Sequence, residues 1–199
     1  MPKQIILLTG DIEGPHLSEL LCQHNPDLVV DVVQDADMLA NACADGVDGC
    51  RLIAFLTSVI VPASLLSRLN GPAYNFHPGP PEYPGSYTAG FAVYEGARTF
   101  GVTLHEMAET IDSGPIVEVR RFEVPEGTKF QDLEMTAFKC VLQMFADYAQ
   151  HMATSDEALP SGVEPWTGRV RTRKEAEALK EIKSDLTEEE IVRRYRAFG

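Results

Sequence analysis

The chain has 199 residues, 44% of them hydrophobic, which is enough for one core and a small appendage. Its formal net charge of −13 repels a phosphate backbone, which argues against nucleic acid as a partner. The four cysteines form no CxxC pair, and no apolar run is long enough for a signal peptide or a membrane helix. We therefore expect a cytoplasmic protein with no membrane partner.

The first half of the chain alternates between strand and helix patterns. A continuous apolar run at residues 4–9 predicts a strand buried in a sheet, and further strands are predicted at residues 28–33, 51–56 and 74–77. Between them, helical patterns occupy residues 15–24, residues 36–43 with Asp35 as the N-cap, and a stretch that Pro62 opens and Asn70-Gly71 closes. A fourth helix, at residues 86–95, is stopped by Gly96. Strands separated by helices predict an α/β fold of three layers.

The second half adds two strands, at residues 100–107 and 116–124, and a long amphipathic helix at 128–151. The two strands are joined by a short turn-rich loop, so they can pair less regularly than the others. Residues 155–168 are rich in Pro, Gly and Ser, and the charged remainder is typical of a surface helix. The sequence therefore predicts a main domain at residues 1–154, with a linker loop and a helical extension at 155–199.

One stretch of polar residues points to chemistry. Asn75 and His77 stand two residues apart in a strand, so both side chains project from the same face. Proline and glycine then end the strand, and Asp112 follows 35 residues after His77 in a second Gly-Pro turn. Taken singly, each residue is more often structural. Together, an amide, an imidazole and a carboxylate are what an enzyme needs to move an acyl group between nitrogens.

The motifs resemble those of a known family. The Asn-Phe-His-Pro run at residues 75–78, the Pro84-Gly85 turn, and the segments at 100–107 and 111–116 have the order and spacing found in the 10-formyltetrahydrofolate-dependent formyltransferases. The resemblance extends from about residue 5 to residue 144. It implies a Rossmann-like fold with a mostly parallel sheet, and residues 1–154 as the catalytic domain. It also implies an N-formyltransferase of one-carbon metabolism that uses 10-formyltetrahydrofolate as the formyl donor.

The resemblance also implies roles for particular residues. Asn75 would donate to the oxygen of the formyl group, His77 would take or give a proton, and Asp112 would orient His77 and a proton-carrying water. The folate site would use backbone groups of the segment after the third strand and of the Asp112 loop. Its residues here are Ser58, Val59, Ile60 and Asp112. No Gly-x-Gly-x-x-Gly follows the first strand and no metal-ligand spacing is present, so we expect neither a nicotinamide nor a metal.

Departures from the family motifs narrow the range of possible acceptors. Pro78-Gly79-Pro80-Pro81 replaces the Ser-Leu-Leu-Pro run of the methionyl-tRNA enzymes, and the sequence shows no basic tRNA-contacting domain. In the first loop, Asp11 and Glu13 would repel the phosphate that the glycinamide ribonucleotide enzymes bind there. We expect a small-molecule amine as the acceptor, with an amino sugar nucleotide as the first candidate. The alternatives are a formyltetrahydrofolate hydrolase and a catalytically silent folate-binding module.

Three features stay open at this point. His105 either supports the site from behind or merely packs. Trp166, the only tryptophan, either grips a nucleotide together with nearby arginines or anchors the linker, and the second interpretation is favoured. Ile191, Tyr195 and Phe198 fall on one side of a helix, which docks either within the chain or onto a second subunit in a homodimer.

Overall fold

A computed structural model describes residues 1–44 and 46–199. The strands are β1 (Gln4–Leu8), β2 (Val29–Val33), β3 (Cys50–Phe55), β4 (Tyr74–His77), β5 (Thr99–Glu106) and β6 (Ile116–Glu123). The helices are α1 (Glu13–His24), α2 (Ala36–Ala42), α3 (Ala63–Leu66), α4 (Thr88–Glu95), α5 (Phe130–Thr154), α6 (Arg173–Lys180) and α7 (Glu188–Phe198). Asp35 caps α2 by accepting from the N–H of Met38, and Gly96 ends α4 in a left-handed conformation.

The six strands form one mixed sheet in the order β2-β1-β3-β4-β5-β6. The pairings from β2 to β4 are parallel, whereas β4 with β5 and β5 with β6 are antiparallel. The prediction of an α/β fold with a mostly parallel sheet is confirmed, because only β5 runs against the other strands. The loop between β5 and β6 is too short to contain a crossover helix, so these two strands pair antiparallel and β5 has the reversed direction.

Alternation along β1 explains the three layers. Ile5 and Leu7 face the core shared with α1, α4 and α5, while Ile6 and Leu8 face the core shared with α2 and α3. On the first side, α5 presents a stripe of buried residues at helical spacing: Leu133, Ala137, Val141 and Met144. Helices therefore cover both faces, and loops at the ends of the strands are left to form a site.

Two expectations about helices are wrong. The helix that Pro62 opens is a single turn, Ala63–Leu66, rather than one reaching Asn70. The charged C-terminal stretch contains two helices instead of one, since Glu181 takes an extended conformation that ends α6. A capping box between Thr172 and Glu175 begins α6, and the Thr187 side chain caps α7.

Helix α7 docks within the chain through its last residue. Phe198 is buried, and its ring lies 5.3 Å from that of Phe91 and 6.0 Å from that of Tyr94. Tyr195 is 75% exposed, so it does not share the buried side with Phe198 as expected. Docking onto a second subunit stays a prediction.

Helices in the described part of the chain are all too short or too polar to cross a lipid bilayer.

Candidate active site at the end of strand β4

Strand β4 presents the amide and the first imidazole. Strand β4 lies between β3 and β5, so it is not an edge strand of the sheet. The Pro- and Gly-rich residues 78–85 lead the chain away from the end of β4. The antiparallel register pairs Asn75 with His105 and His77 with Thr103. Directly paired residues share a face, so His105 joins Asn75 and His77 on one side of the sheet.

Asp112 reaches this face from the β5–β6 loop. Its Oδ2 lies 3.3 Å from Nδ1 of His77, and its Oδ1 lies 3.3 Å from Nε2 of His105. The Gly85 N–H donates to the same Oδ2 at 2.7 Å. The carboxylate therefore lies between the two imidazoles, and the structure brings Asn75, His77 and Asp112 together.

The hydrogen bonds fix which nitrogen of His77 is protonated. Nε2 lies 3.0 Å from the carbonyl oxygen of Tyr83, which can only accept, so Nε2 carries a hydrogen and donates. In the neutral ring Nδ1 then holds a lone pair, directed to the Asp112 side. A proton that arrives at Nδ1 would be stabilised by the carboxylate at 3.3 Å.

His105 belongs to the cluster and does not support it from behind. Its Nδ1 lies 2.8 Å from the carbonyl oxygen of Glu106, to which it donates. In the neutral ring Nε2 accepts from the amide Nδ2 of Asn75 at 3.1 Å. A second hydrogen of the same amide lies toward Asp112 Oδ1 at 3.5 Å, the outer limit of a hydrogen bond. This weakly held hydrogen is the one that Asn75 can redirect to a substrate oxygen.

Burial and mutual charge set the protonation of the cluster. His77 is 4% exposed, and burial lowers its pKa despite the nearby Asp112 carboxylate, so the ring is neutral near pH 7. Burial acts to raise the pKa of Asp112. The two imidazoles, which stabilise the carboxylate when they are protonated, and the Gly85 N–H outweigh burial and lower that pKa to about 2. The resting site therefore contains an ionised carboxylate beside a neutral imidazole.

The cluster lies in the wall of a cleft of about 960 Å³. Ser58, Val59 and Ile60 line the cleft, together with the loop that carries Asp112. Ile60 is 65% exposed and Ile111, in that loop, is 45% exposed. Large apolar side chains exposed in a concave site favour a ligand with a flat apolar part.

Sequence reasoning missed several other residues of the cleft wall. Helix α5 contributes Gln131, Glu134, Met135 and Phe138, the start of α4 contributes Ser86, Tyr87 and Thr88, and the C-terminal region contributes Val170, Arg171, Thr172 and Arg173. One backbone signal marks the site as well. Among the described residues, the non-glycine positions with positive φ are Leu56, Tyr87 and Asp112, and each of them lines the cleft. Such strain is typical of functional sites.

We call residues 166–172 the strap, because this segment lies across the Pro-Gly loop after β4. The N–H groups of Thr167 and Gly168 donate to the Pro81 carbonyl at 3.1 and 3.0 Å. Further along, Arg171 donates its N–H to Pro84 and accepts from the N–H of Ser86, at 2.8 and 2.9 Å. The Arg171 side chain pairs with Glu95 and lies over the Phe91 ring. The strap thereby fixes the loop from which Gly85 donates to Asp112.

The contact between Gly85 and the strap supplies a test of how closely the loop after β4 must approach the strap. Gly85 has φ +98, and a Cβ there would lie 2.1 Å from the carbonyl oxygen of Arg171. We expect Gly85→Ala to push the strap away, to lower the free energy of unfolding by about 2 kcal/mol or more, and to disturb the bond to Asp112. Chemical denaturation measures the loss. Gly127→Ala is the control, because Gly127 has φ +80 but nothing within 4 Å of its Cβ position. Equal losses in both variants would show that backbone strain alone is responsible.

No set of three or more His, Cys, Asp and Glu side chains in residues 1–44 and 46–199 is arranged to hold a metal ion.

Comparison with known proteins gives one family match and several structural likenesses. The model of the Formyl transferase family matches residues 16–140, more than half of the chain. Among curated proteins, the phosphoribosylglycinamide formyltransferase of Bacillus subtilis is 30% identical over 81 residues. That match covers 40% of this chain and 42% of the enzyme, so the shared part spans less than half of the relative.

Two solved structures illustrate the shared fold. A sugar N-formyltransferase from Shewanella superposes with a TM-score of 0.79 at 15% identity, over 99% of this chain and 88% of the other. An N-formyltransferase from Helicobacter canadensis, in complex with folinic acid and dTDP-3-aminofucose, superposes with a TM-score of 0.73 at 18% identity. This second likeness covers 100% of this chain and 81% of the other.

Proposed function

The chain belongs to the formyl transferase family, and on this premise we propose that it transfers a formyl group from 10-formyltetrahydrofolate to the amine of a small-molecule acceptor. The observation that carries the proposal is the convergence of Asn75, His77 and Asp112 in the wall of one cleft. An amino sugar nucleotide is our first candidate for the acceptor. The Helicobacter canadensis structure of the same fold holds a folate together with such a sugar nucleotide.

The reaction forms one carbon–nitrogen bond and breaks another. The acceptor amine bonds to the formyl carbon, the bond from that carbon to the donor nitrogen breaks, and one proton passes from the amine to the leaving nitrogen. Formyltetrahydrofolate supplies the activated formyl carbon. The part of the cleft wall formed by Ser58, Val59, Ile60 and the exposed side chain of Ile111 suits its flat ring system.

Asn75 stabilises the charge that builds on the formyl oxygen. Its amide hydrogen toward Asp112, held only at 3.5 Å, turns to that oxygen, while the bond to His105 Nε2 at 3.1 Å keeps the amide in place. A donor fixed in advance costs little reorganisation during the reaction. Such a donor contributes about 3 kcal/mol to transition-state stabilisation.

His77 and Asp112 move the proton. Because the Tyr83 carbonyl holds the hydrogen on Nε2, the free lone pair is on Nδ1, where it can accept the proton of the attacking amine directly or through one water. The Asp112 carboxylate, 3.3 Å away, stabilises the imidazolium that results. The proton then leaves Nδ1 for the departing nitrogen.

The size of the cleft suits two substrates. A volume of about 960 Å³ is at the upper end of the range for a single small ligand, so it leaves room for donor and acceptor together. We assign the acceptor to the part of the wall that includes Ser86, Tyr87 and Arg173, because none of these is among the residues proposed for folate. In this proposal residues 1–154 form the catalytic domain, and the extension at 155–199 completes the acceptor wall.

An assay with matched acceptors tests the proposed function. Purified protein is incubated with 10-formyltetrahydrofolate alone, and then with amino sugar nucleotides, glycinamide ribonucleotide and methionyl-tRNA in turn. We expect release of tetrahydrofolate that depends on an amino sugar nucleotide and yields a formamido product of equal amount. Release at the same rate without any acceptor would establish a hydrolase instead. Folate binding without any release would establish a silent binding module.

The pH dependence should report His77. Only Asp112 and His105 face this ring as titratable groups in the described structure, and the low pKa of Asp112, about 2, keeps it ionised above pH 4. Burial lowers the pKa of His77, and the neutral ring is the active form, so kcat/KM should rise with pH and level off. The midpoint should lie below about 6.5, the ordinary value for histidine. A midpoint above that value, or a rate that falls as pH rises through it, would contradict a neutral His77.

A further inference from the structure

We propose that Trp166 is a positioning residue for the reaction: its indole holds the rings of His77 and His105 in place and keeps water from them. The inference rests on the proposed function for its kinetic part. Its structural part, the contact between one indole and two imidazoles, is independent of the substrate.

The contacts of the indole are specific to the two imidazoles. The ring centroid of Trp166 lies 5.0 Å from that of His105 at an interplanar angle of 88°, and 5.7 Å from that of His77 at 72°. Edge-to-face geometry at these distances is a favourable arrangement for aromatic pairs. The imidazoles themselves lie 6.4 Å apart at 76°, so the three rings form one packed group.

A hydrogen bond orients the indole. Its Nε1–H donates to the carbonyl oxygen of Gly114 at 2.9 Å, two residues after Asp112. At Gly114 an added Cβ would lie 2.0 Å from the Glu106 carbonyl oxygen, so this turn lies tightly against the end of β5. Trp166 is thus attached to the loop of Asp112 while its ring contacts both histidines. A residue that merely anchored the linker would need the hydrogen bond to Gly114 but not the ring contacts with both histidines.

The anchoring of the linker is provided elsewhere. Leu159 is 4% exposed, and its N–H donates to the hydroxyl of Tyr74 at 2.8 Å. The backbone bonds of Thr167, Gly168 and Arg171 hold the strap. Removing the indole should therefore leave the path of the chain largely intact and mainly open the imidazoles to water.

Hydration of the imidazoles has a defined consequence. His77 is buried, and it faces Asp112 and His105 on the side of the cleft and Trp166 behind. Burial lowers its pKa, so letting water in should move that pKa upward. The loosened ring should also spend less time with Nδ1 in the reactive direction, which lowers kcat.

The first test uses the indole as its own reporter. Trp166 is the only tryptophan, and a protonated imidazole quenches the fluorescence of an indole in contact with it. We expect the emission of the wild-type protein to fall as pH decreases. The midpoint of this fall should lie at the same pH as the midpoint of the acid limb of kcat/KM. His77→Gln should reduce this transition, and His77→Gln combined with His105→Gln, which removes both imidazoles in contact with the indole, should abolish it. Emission that does not change with pH, or that matches N-acetyltryptophanamide in water throughout, would overturn the proposal.

The second test separates positioning from anchoring. We expect Trp166→Ala to lower kcat about tenfold or more, to leave the affinity for a folate analogue unchanged, and to move the acid limb of kcat/KM upward toward about 6.5. Trp166→Phe keeps an aromatic edge and should restore the midpoint. Leu159→Ala is the matched control, since it loosens the same linker without touching the imidazoles. It should lower the free energy of unfolding and leave the midpoint where it was.

The outcomes distinguish this proposal from the proposed function. If Trp166→Ala behaves like Leu159→Ala, with lower stability and an unmoved midpoint, Trp166 is only an anchor and the proposal is overturned. If no acceptor supports formyl transfer but the fluorescence of the wild type still titrates through His77, the proposed function fails while the indole–imidazole contact stands.

Discussion

Asp112→Asn should reduce kcat by about 10²-fold or more while folate-analogue binding stays measurable. The substitution removes the charge that stabilises a protonated His77, 3.3 Å from Oδ2. This effect acts on the transition state more than on the bound substrates.

The fold should survive this substitution. Asp112 has φ +44, in the left-handed region, and asparagine is among the residues that tolerate it best. The remaining side-chain oxygen can still accept from the Gly85 N–H. The rate of single-turnover formyl transfer and the affinity for a folate analogue, both measured on one preparation of the variant, test this prediction. If Asp112 were only a turn residue, asparagine would serve equally and kcat would be unchanged.

A second aspartate provides the control. Asp35 caps α2 by accepting from the Met38 N–H at 2.8 Å, far from the cleft wall, and asparagine caps a helix equally well. Asp35→Asn removes the same charge and should leave kcat unchanged. A comparable loss in both variants would attribute the effect to overall charge rather than to the site.

Asn75→Ala should lower kcat by about 10²- to 10³-fold, the cost of removing one donor from an oxyanion site. In the described structure, the Asn75 amide is also the only side-chain donor to Nε2 of His105. Because the loss concerns the transition state, the affinity for a folate analogue should change little. Steady-state kinetics with saturating donor and acceptor measures the change.

Asn25→Ala is the matched control for Asn75→Ala, because it should change stability and not kcat. The Asn25 side chain is buried and donates to the Ala153 carbonyl at 2.9 Å, at the end of α5 and outside the cleft. Its removal should lower the free energy of unfolding by about 1–3 kcal/mol and leave kcat of the folded protein unchanged. If Asn75→Ala lost stability and kept its kcat, Asn75 would be structural and the proposed role would fail.

Local patterns in the sequence were sufficient to predict the strands and the first part of the site. Asn75 and His77 share a face because side chains in a strand repeat every two residues, and the proline and glycine after them end the strand. His105 stayed undecided, because its place depends on how β5 is aligned with β4. The antiparallel register that pairs it with Asn75 is set by packing between distant segments and has no local signal.

The rest of the cleft depends on contacts that leave little trace in the sequence. The strap holds the Pro81–Gly85 region through backbone hydrogen bonds, which any residue type can make. Leu56 and Tyr87 adopt positive φ although neither is glycine or asparagine, so their residue types give no warning. For α7, helical spacing placed Tyr195 with Phe198, but the residues that the helix buries are Ala197 and Phe198.

The strap also implies an order in time. A chain is synthesised from its N-terminus, and domains fold as it emerges. Asn75, His77 and Asp112 have all been made well before Trp166 and Arg171, whose contacts cover the imidazoles and fix the loop of Gly85. During synthesis the two histidines are therefore first exposed to water, and they become buried only near the end. We expect catalytic competence to appear late, after the sheet has already formed.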